Sequence, residues 1–167
     1  MRYFITVPDD FNIGFVCCIT WVLIEIVRVI RLGRCLYVFQ RLSLKENYPV
    51  AARVSRKFIG RFPEYELASR MAFRWGQCHY KQAAYLKAAE RFEGFAKRYP
   101  DDKMCAETLF WAGESFRMGR DVPMAFRYYN RCRWDYPESE AAKYARGRLA
   151  LPELLVQFER EADLEDE

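Results

Sequence analysis

Small and apolar residues recur at helical spacing in three stretches of the chain. In one of them, Ala88, Phe92 and Phe95 are spaced so that all three lie on one face of a helix. Every stretch closes on an aromatic residue followed by proline, and this pair stops a helix. The stretches are residues 48–63, 85–100 and 122–137. The pattern predicts three amphipathic helices of one design.

These three stretches align without gaps. Their closing prolines, Pro63, Pro100 and Pro137, lie 37 residues apart, and Ala51, Ala88 and Ala125 coincide in the alignment. Self-similarity at a fixed period of this size is typical of a tandem helical repeat. The chain is therefore predicted to be a repeat protein.

A second set of helices is predicted in the segments between these three stretches. Residues 64–80 and 101–118 carry small and apolar residues at helical spacing, and short polar turns at 82–84 and 119–121 connect each to the helix that follows. Candidate N-cap and first-turn residues come directly after two of the prolines: Asp101, Asp102, Glu138 and Ser139. Each unit is thus a pair of antiparallel helices, and the fold class is all-α.

The ends of the repeat region depart from the pattern. The register places a degenerate first helix at about residues 29–44 and a partnerless one at 138–151, and Pro152 opens a short helix. End helices of a solenoid face solvent on one side, so atypical caps are expected. The predicted organisation is a hydrophobic segment at 1–32, a repeat domain of about three repeats at 33–151, and a short helix with an acidic tail at 152–167.

The repeat resembles the tetratricopeptide repeat. The matching residues are Gly76, Ala88, Phe92 and Pro100 in one unit and Gly113, Ala125, Tyr129 and Pro137 in the next. The period is 37 residues in place of about 34, and Ala72 and Leu109 stand where the family has Trp. The resemblance implies a right-handed superhelix of antiparallel helix pairs and a role in binding other proteins.

Within that family, the chain resembles a bacterial envelope subgroup. The resemblance lies in the long first helices closed by Tyr-Pro and in the segment AETLFWAGESFRMG at 106–119. This subgroup includes the BamD-type outer-membrane assembly lipoproteins and the CpoB-type partners of the Tol–Pal system. The resemblance implies a membrane-associated protein of the cell envelope. Arg28 and Arg31, which follow the N-terminal apolar run, favour a cytoplasmic location instead, so the sequence leaves the compartment open.

The N-terminal part holds an uninterrupted apolar run from Ile13 to Ile24. A helix over residues 13–30 would be about 27 Å long, close to the roughly 30 Å of a hydrocarbon core. Arg28 and Arg31 follow the run, which by the positive-inside rule places the repeats in the cytoplasm. The alternatives are a membrane anchor at 11–32, a helix that packs on the repeats or on a second copy, and a translocation signal or non-native extension.

The resemblance also implies a concave groove, built by the first helices, that binds a peptide or a helix of a partner protein. Candidate groove residues are those off the core stripe of the two first helices. They are Arg70, Phe73, Arg74, Gln77, Tyr80, Lys81, Glu107, Phe110, Trp111, Glu114 and Arg117. Inter-repeat pairing of Arg70 with Glu107, or of Arg74 with Glu114 or Trp111, is the alternative role for these side chains.

Catalytic and cofactor chemistry finds no support in the sequence. His79 is the single histidine, the six cysteines show no C-x-x-C spacing, and no phosphate-binding loop occurs, so no enzyme activity, metal or cofactor is predicted. His79 and the cysteines are expected to pack in the core. The cysteines are Cys17, Cys18, Cys35, Cys78, Cys105 and Cys132.

Charge is distributed unevenly along the chain. The net charge is +4, but residues 159–167 hold six acids and one arginine. Basic residues cluster on the second helices at Arg53, Arg56, Lys57, Arg61, Arg127, Arg131 and Arg133. These, with Tyr128 and Trp134, could contact nucleic acid or anionic lipid, but the mild net charge favours a solvated face.

Overall fold

The computed structural model describes residues 27, 30, 33–35, 37–42 and 45–156. The chain divides into two compact units, Met1–Arg41 and Leu42–Glu167. The described residues of the first unit are helical, and the Arg41 guanidinium donates a hydrogen bond to the Tyr37 hydroxyl over 3.1 Å. The apolar run 13–24, predicted as an anchor or packing helix, lies outside the described residues. Within the described ranges no helix is both long and apolar enough to cross a membrane.

Helices and turns make up the described part of the second unit. Its helices are α1 (Tyr48–Arg61), α2 (Leu67–Lys81), α3 (Tyr85–Arg98), α4 (Cys105–Met118), α5 (Val122–Asp135) and α6 (Glu140–Leu149), followed by helical residues 152–156. Each helix packs against the next, and α4 also packs against α6. Helices that contact mainly their sequence neighbours form a solenoid. The predicted all-α repeat fold is confirmed.

The helix ends follow from local sequence. The second helices α1, α3 and α5 end one residue before the predicted aromatic-proline pairs. The first helices α2 and α4 begin later than predicted, because the residues after each proline form a turn before the helix starts. In that turn the Asp102 carboxylate accepts a hydrogen bond from the Met104 amide over 2.8 Å. The predicted Ser139 cap of α6 is confirmed, because its hydroxyl accepts from the Ala142 amide.

The turns that enter the second helices share a left-handed residue. Glu46, Ala83 and Arg120 have φ angles of 55°, 55° and 64° and lie 37 residues apart. The amide one residue later bonds back to the preceding helix in each case, as from Ala84 to the His79 carbonyl over 3.0 Å. This bond reverses the chain direction and sets α2 antiparallel to α3.

The core lies between the first and second helices. Ala51, Ala88 and Ala125 are fully buried at equivalent positions, which lets the paired helices approach closely. Leu149 of α6 and Leu154 of the last helical stretch belong to the same core, and Leu154 is fully buried. The 152–156 stretch therefore covers apolar surface at the end of the stack.

Candidate functional site

A row of aromatic rings runs across the three first helices α2, α4 and α6. Tyr80 and Trp111 meet edge-on with ring centroids 5.2 Å apart, Phe110 lies 6.1 Å from Trp111, and Tyr144 lies 6.0 Å from Phe110. Trp111 and Phe110 are half-buried, whereas Tyr144 is 64% exposed. We call Tyr80, Trp111, Phe110 and Tyr144 the aromatic row. It presents partly exposed rings that are held in place by their neighbours.

Trp111 has an arginine at the equivalent position of each adjacent first helix. Arg74, Trp111 and Arg148 are 37 residues apart and therefore share one repeat register. The Arg74 guanidinium donates to the Gln77 side-chain oxygen over 3.0 Å, and the Trp111 indole donates to the Glu107 carboxylate over 3.3 Å. These bonds stay within one helix, so Arg74 keeps an exposed guanidinium.

Glu114 joins three helices through its carboxylate. The Tyr129 hydroxyl on α5 and the Arg148 guanidinium on α6 both donate to Oε1, over 2.7 and 2.5 Å, and Arg117 donates to Oε2 over 3.0 Å. Only 5% of Glu114 is exposed. Arg117 also approaches the Glu153 carboxylate at 3.6 Å. These bonds connect the α4–α5 pair to the helices that follow it.

The protonation of this cluster is fixed by its hydrogen bonds. Burial by itself would raise the pKa of the Glu114 carboxyl, but the hydrogen bonds from Tyr129, Arg148 and Arg117 outweigh burial and lower it. Burial together with the charge of Glu114 raises the pKa of Tyr129. Glu114 is consequently a carboxylate and Tyr129 a neutral donor at pH 7.

Two predicted groove residues lie in the core. Phe73 is 2% exposed and packs against Phe92 and Phe95, with ring centroids 5.6 and 6.4 Å away. Helical spacing places Phe73 off the core stripe of α2, but α3 packs against that side of α2 and buries the ring. Glu114 is buried as well, and it pairs with Arg117 and Arg148 in place of the expected Arg74. Neither offers a free contact surface, which corrects the sequence prediction for both.

A glycine–aromatic contact occurs at the same position in both helix pairs. Gly76 lies against the Phe92 ring and Gly113 against the Tyr129 ring, so closely that a Cβ would stand 2.6 and 2.7 Å from ring carbons. Residues 71–102 and 107–139, which contain these contacts, match the tetratricopeptide repeat family. Both segments are similar to this repeat in sequence. The matches cover less than half of the chain, and no curated protein matched its sequence.

The remaining groove candidates are at least partly accessible. Arg70, Lys81 and Glu107 are exposed, and Gln77 and Arg117 are half-buried. Sequence reasoning missed Tyr144 and Arg148, because α6 was treated as an atypical cap. The 37-residue tetratricopeptide register would have found them, since it relates Tyr144 to Glu107 and Arg148 to Trp111.

The basic residues of the second helices lie largely in solvent. Arg53, Arg56, Lys57, Arg61, Arg127 and Arg131 are exposed. The Arg133 guanidinium lies 4.8 Å from the ring centre of Trp134, which is 69% exposed, and Arg131 pairs with Asp135 over 3.1 Å. Tyr128 is buried and stacks on Phe116, so it cannot contact a nucleic acid base.

His79 and the described cysteines take packing positions. His79 is half-buried beside Trp75, and burial together with Arg91 and Lys87 lowers its pKa. Cys78, Cys105 and Cys132 are buried free thiols, and Cys35 is partly exposed. Among residues 45–156 and the described residues before them, no three His, Cys, Asp or Glu side chains are grouped to hold a metal ion.

Proposed function

We propose that this chain is a non-enzymatic adaptor that holds a peptide or helix of a partner protein along the first helices of its tetratricopeptide repeats. The observation that carries the proposal is Trp111, which stands between Tyr80 and Phe110 and is flanked in register by Arg74 and Arg148. Aromatic and arginine side chains dominate the binding energy of protein interfaces. Rings that are already held by neighbours lose little entropy on binding.

Charge indicates which partner fits this surface. The predicted groove residues together with Arg148 carry five basic and two acidic side chains. Buried Glu114 is paired with Arg117 and Arg148, which leaves Arg70, Arg74 and Lys81 against one exposed acid, Glu107. A partner with carboxylates beside apolar side chains would pair with the arginines while its apolar groups cover the aromatic row. Acidic, apolar peptides are therefore the proposed ligand class.

The test is partner capture by the double variant Trp111→Ala, Arg74→Ala. We expect capture of proteins from a lysate of the source cells to fall at least about tenfold, because truncating a central aromatic anchor costs about 2 kcal/mol or more. The matched control is Trp134→Ala with Arg133→Ala, which removes an exposed tryptophan and an arginine from a second helix. Equal capture by both variants, with unchanged helical circular dichroism, would contradict the groove.

We further propose that the adaptor works in a membrane-associated assembly of a bacterial cell envelope. The apolar run 13–24 and the resemblance of residues 106–119 to envelope proteins support this location. Co-purification from membranes, followed by protease access to the acidic residues 159–167, would report association and side. Recovery of all the protein in the soluble fraction would argue against it.

The alternative function is a structural subunit that packs into a larger membrane complex through its N-terminal hydrophobic helix. The same apolar run supports it, since such a surface needs a covering partner. Deleting residues 1–32 separates the two functions. An adaptor with an anchor yields a soluble monomer, whereas a subunit whose helix completes the core yields an aggregating protein.

A further inference from the structure

A cavity of about 140 Å³ lies between α1, α2 and α3. Ala72 and Trp75 contribute to it from α2, and at 100° per residue they lie about 160° and 100° around the helix from Arg74. None of the four residues of the aromatic row lines the cavity. Its lining residues are Ile59, Ala72, Trp75, Glu90, Arg91, Gly94, Phe95, Arg98 and Tyr99.

At two lining positions the α2–α3 pair carries a smaller residue than the α4–α5 pair does 37 residues later. Ala72 corresponds to Leu109, which is fully buried, and Gly94 corresponds to Arg131, 37 residues later in each case. A Cβ added at Gly94 would meet no atom within 4 Å. The lining of this cavity is therefore not repeated in the α4–α5 pair.

The cavity carries a guanidinium that is already oriented. The Arg91 guanidinium lies 4.4 Å from the ring centre of Trp75, and its Nε is buried without an acceptor among the described residues. Its nearest carboxylate, Glu90, is 3.7 Å away on the exposed side. An arginine that is stacked on an aromatic ring and still has a free donor is suited to hold an anion.

Tyr99 also lines the cavity, and its hydroxyl is a second unused donor. It is buried, and no described residue forms a hydrogen bond with it. One repeat later the equivalent Tyr136 donates to the Pro100 carbonyl over 3.2 Å. A buried polar group without a partner is unfavourable, so a ligand that accepts from Tyr99 would remove that cost.

We propose that this cavity binds the part of a partner peptide in which an apolar side chain is followed by a carboxylate. Ile59, Ala72 and Phe95 form an apolar floor, and an apolar cavity of about 150 Å³ is large enough for a benzene ring. Arg91 and Arg98 against Glu90 leave one positive charge on the lining, which favours an acidic ligand. The cavity is a second contact surface that does not depend on the aromatic row.

The first experiment uses synthetic peptides and the full chain. Two libraries of acetylated, amidated dodecapeptides, randomised except for a central Phe-Glu or Phe-Gln, are titrated while the Trp75 indole N–H signal is followed by NMR. We expect Phe-Glu peptides to shift this signal with about tenfold higher affinity than Phe-Gln peptides, because one charge-assisted contact is lost. Equal affinity would overturn the carboxylate requirement.

Two variants link binding to the cavity. Ala72→Leu fills it with the side chain that the second repeat tolerates at this register, and Arg91→Gln with Arg98→Gln leaves the space but removes the cations. Both variants are expected to abolish the preference for Phe-Glu peptides. If the arginine variant retains that preference, the proposal is overturned. This outcome does not depend on whether Ala72→Leu folds. Trp134→Ala, on the second helix α5, is the control that should leave this binding unchanged. Because the signal followed is that of Trp75, failure of the proposed groove is seen separately, in the capture experiment with Trp111→Ala and Arg74→Ala. If 3-phenylpropionate binds and no Phe-Glu peptide does, the ligand of the cavity is a small carboxylic acid, and the proposal of a peptide ligand is overturned.

Discussion

Gly113 of α4 lies directly beneath the ring of Tyr129 on α5, where a Cβ would stand 2.7 Å from Cε1. The ring has no room to move away, because Tyr129 is fully buried and its hydroxyl is bound to Glu114. The absence of a side chain at Gly113 is therefore what allows the aromatic residue to pack between the two helices.

Replacing Gly113 with alanine should reduce the free energy of unfolding by about 1–3 kcal/mol, the usual cost of overpacking. Gly147→Ala is the matched control, since this exposed helical position has no atom within 4 Å of an added Cβ. It should raise stability by about 0.5–1 kcal/mol. Urea unfolding followed by circular dichroism measures both, and equal effects at the two glycines would contradict the packing explanation.

Tyr129→Phe should destabilise the chain by about 1.5–3 kcal/mol, because it removes a hydrogen bond to a buried carboxylate. Phenylalanine itself fits this register, as Phe92 shows in the first repeat, where Gln77 replaces Glu114. In a double-mutant cycle, Tyr129→Phe should cost clearly less when Glu114→Gln is already present. Additive effects would show that the bond between the two side chains contributes nothing.

Stability should fall on acidification through Glu114. Its pKa is lower in the folded chain than the ordinary value of 4.5, so its contribution is fully present above pH 4.5. The contribution is lost as pH falls through the lowered folded-state pKa. Wild type should therefore lose more stability than Glu114→Gln between pH 5 and pH 2, as measured by urea midpoints. Parallel pH curves would be inconsistent with this role.

Ala83→Gly should stabilise the turn between α2 and α3. Ala83 has a φ of 55°, and a left-handed conformation costs a residue with a Cβ about 1–2 kcal/mol. Part of this gain is offset by the greater flexibility of glycine in the unfolded chain, so a rise of about 0.5–1 kcal/mol is expected. Lys87→Gly, at an exposed position in the first turn of α3, should instead lower stability by up to about 1 kcal/mol. Thermal unfolding distinguishes the two.

The buried thiols should react slowly. Burial raises the pKa of Cys78 and of Cys132 to about 11, which leaves little thiolate at pH 8. Iodoacetamide should therefore modify both residues far more slowly than the partly exposed Cys35, as peptide mass spectrometry would show. In denaturant the rates should converge. Rapid labelling of Cys78 or Cys132 in the native chain would mean that the helix pairs open.

Much of the fold could be read from the sequence, because each helix pair repeats the same short-range rules. The prolines that end the second helices and the stripe of Ala88, Phe92 and Phe95 are local signals, and the structure follows them. The late start of α4 could not be read in this way. The Asp102 bond to Met104 keeps that segment in a turn, and helical spacing alone does not report such a bond.

The candidate site was harder to predict, because it depends on contacts between repeats. Helical spacing identified Trp111 and Arg74 as side chains off the core stripe. It could not show that α3 covers Phe73, or that Arg148 and Tyr129 reach Glu114 from two other helices. Side chains with equal spacing in sequence thus divide into core and surface according to what packs against them.

Leu154 also bears on how copies of this chain can associate. A solenoid with a bare apolar end can add further units head to tail, and repeated addition of this kind produces open filaments. Because Leu154 is fully buried with Leu149, a helix pair from another copy could dock at this end only by displacing residues 152–156. The stretch thus opposes head-to-tail addition of a second copy onto α6, and its removal should increase self-association.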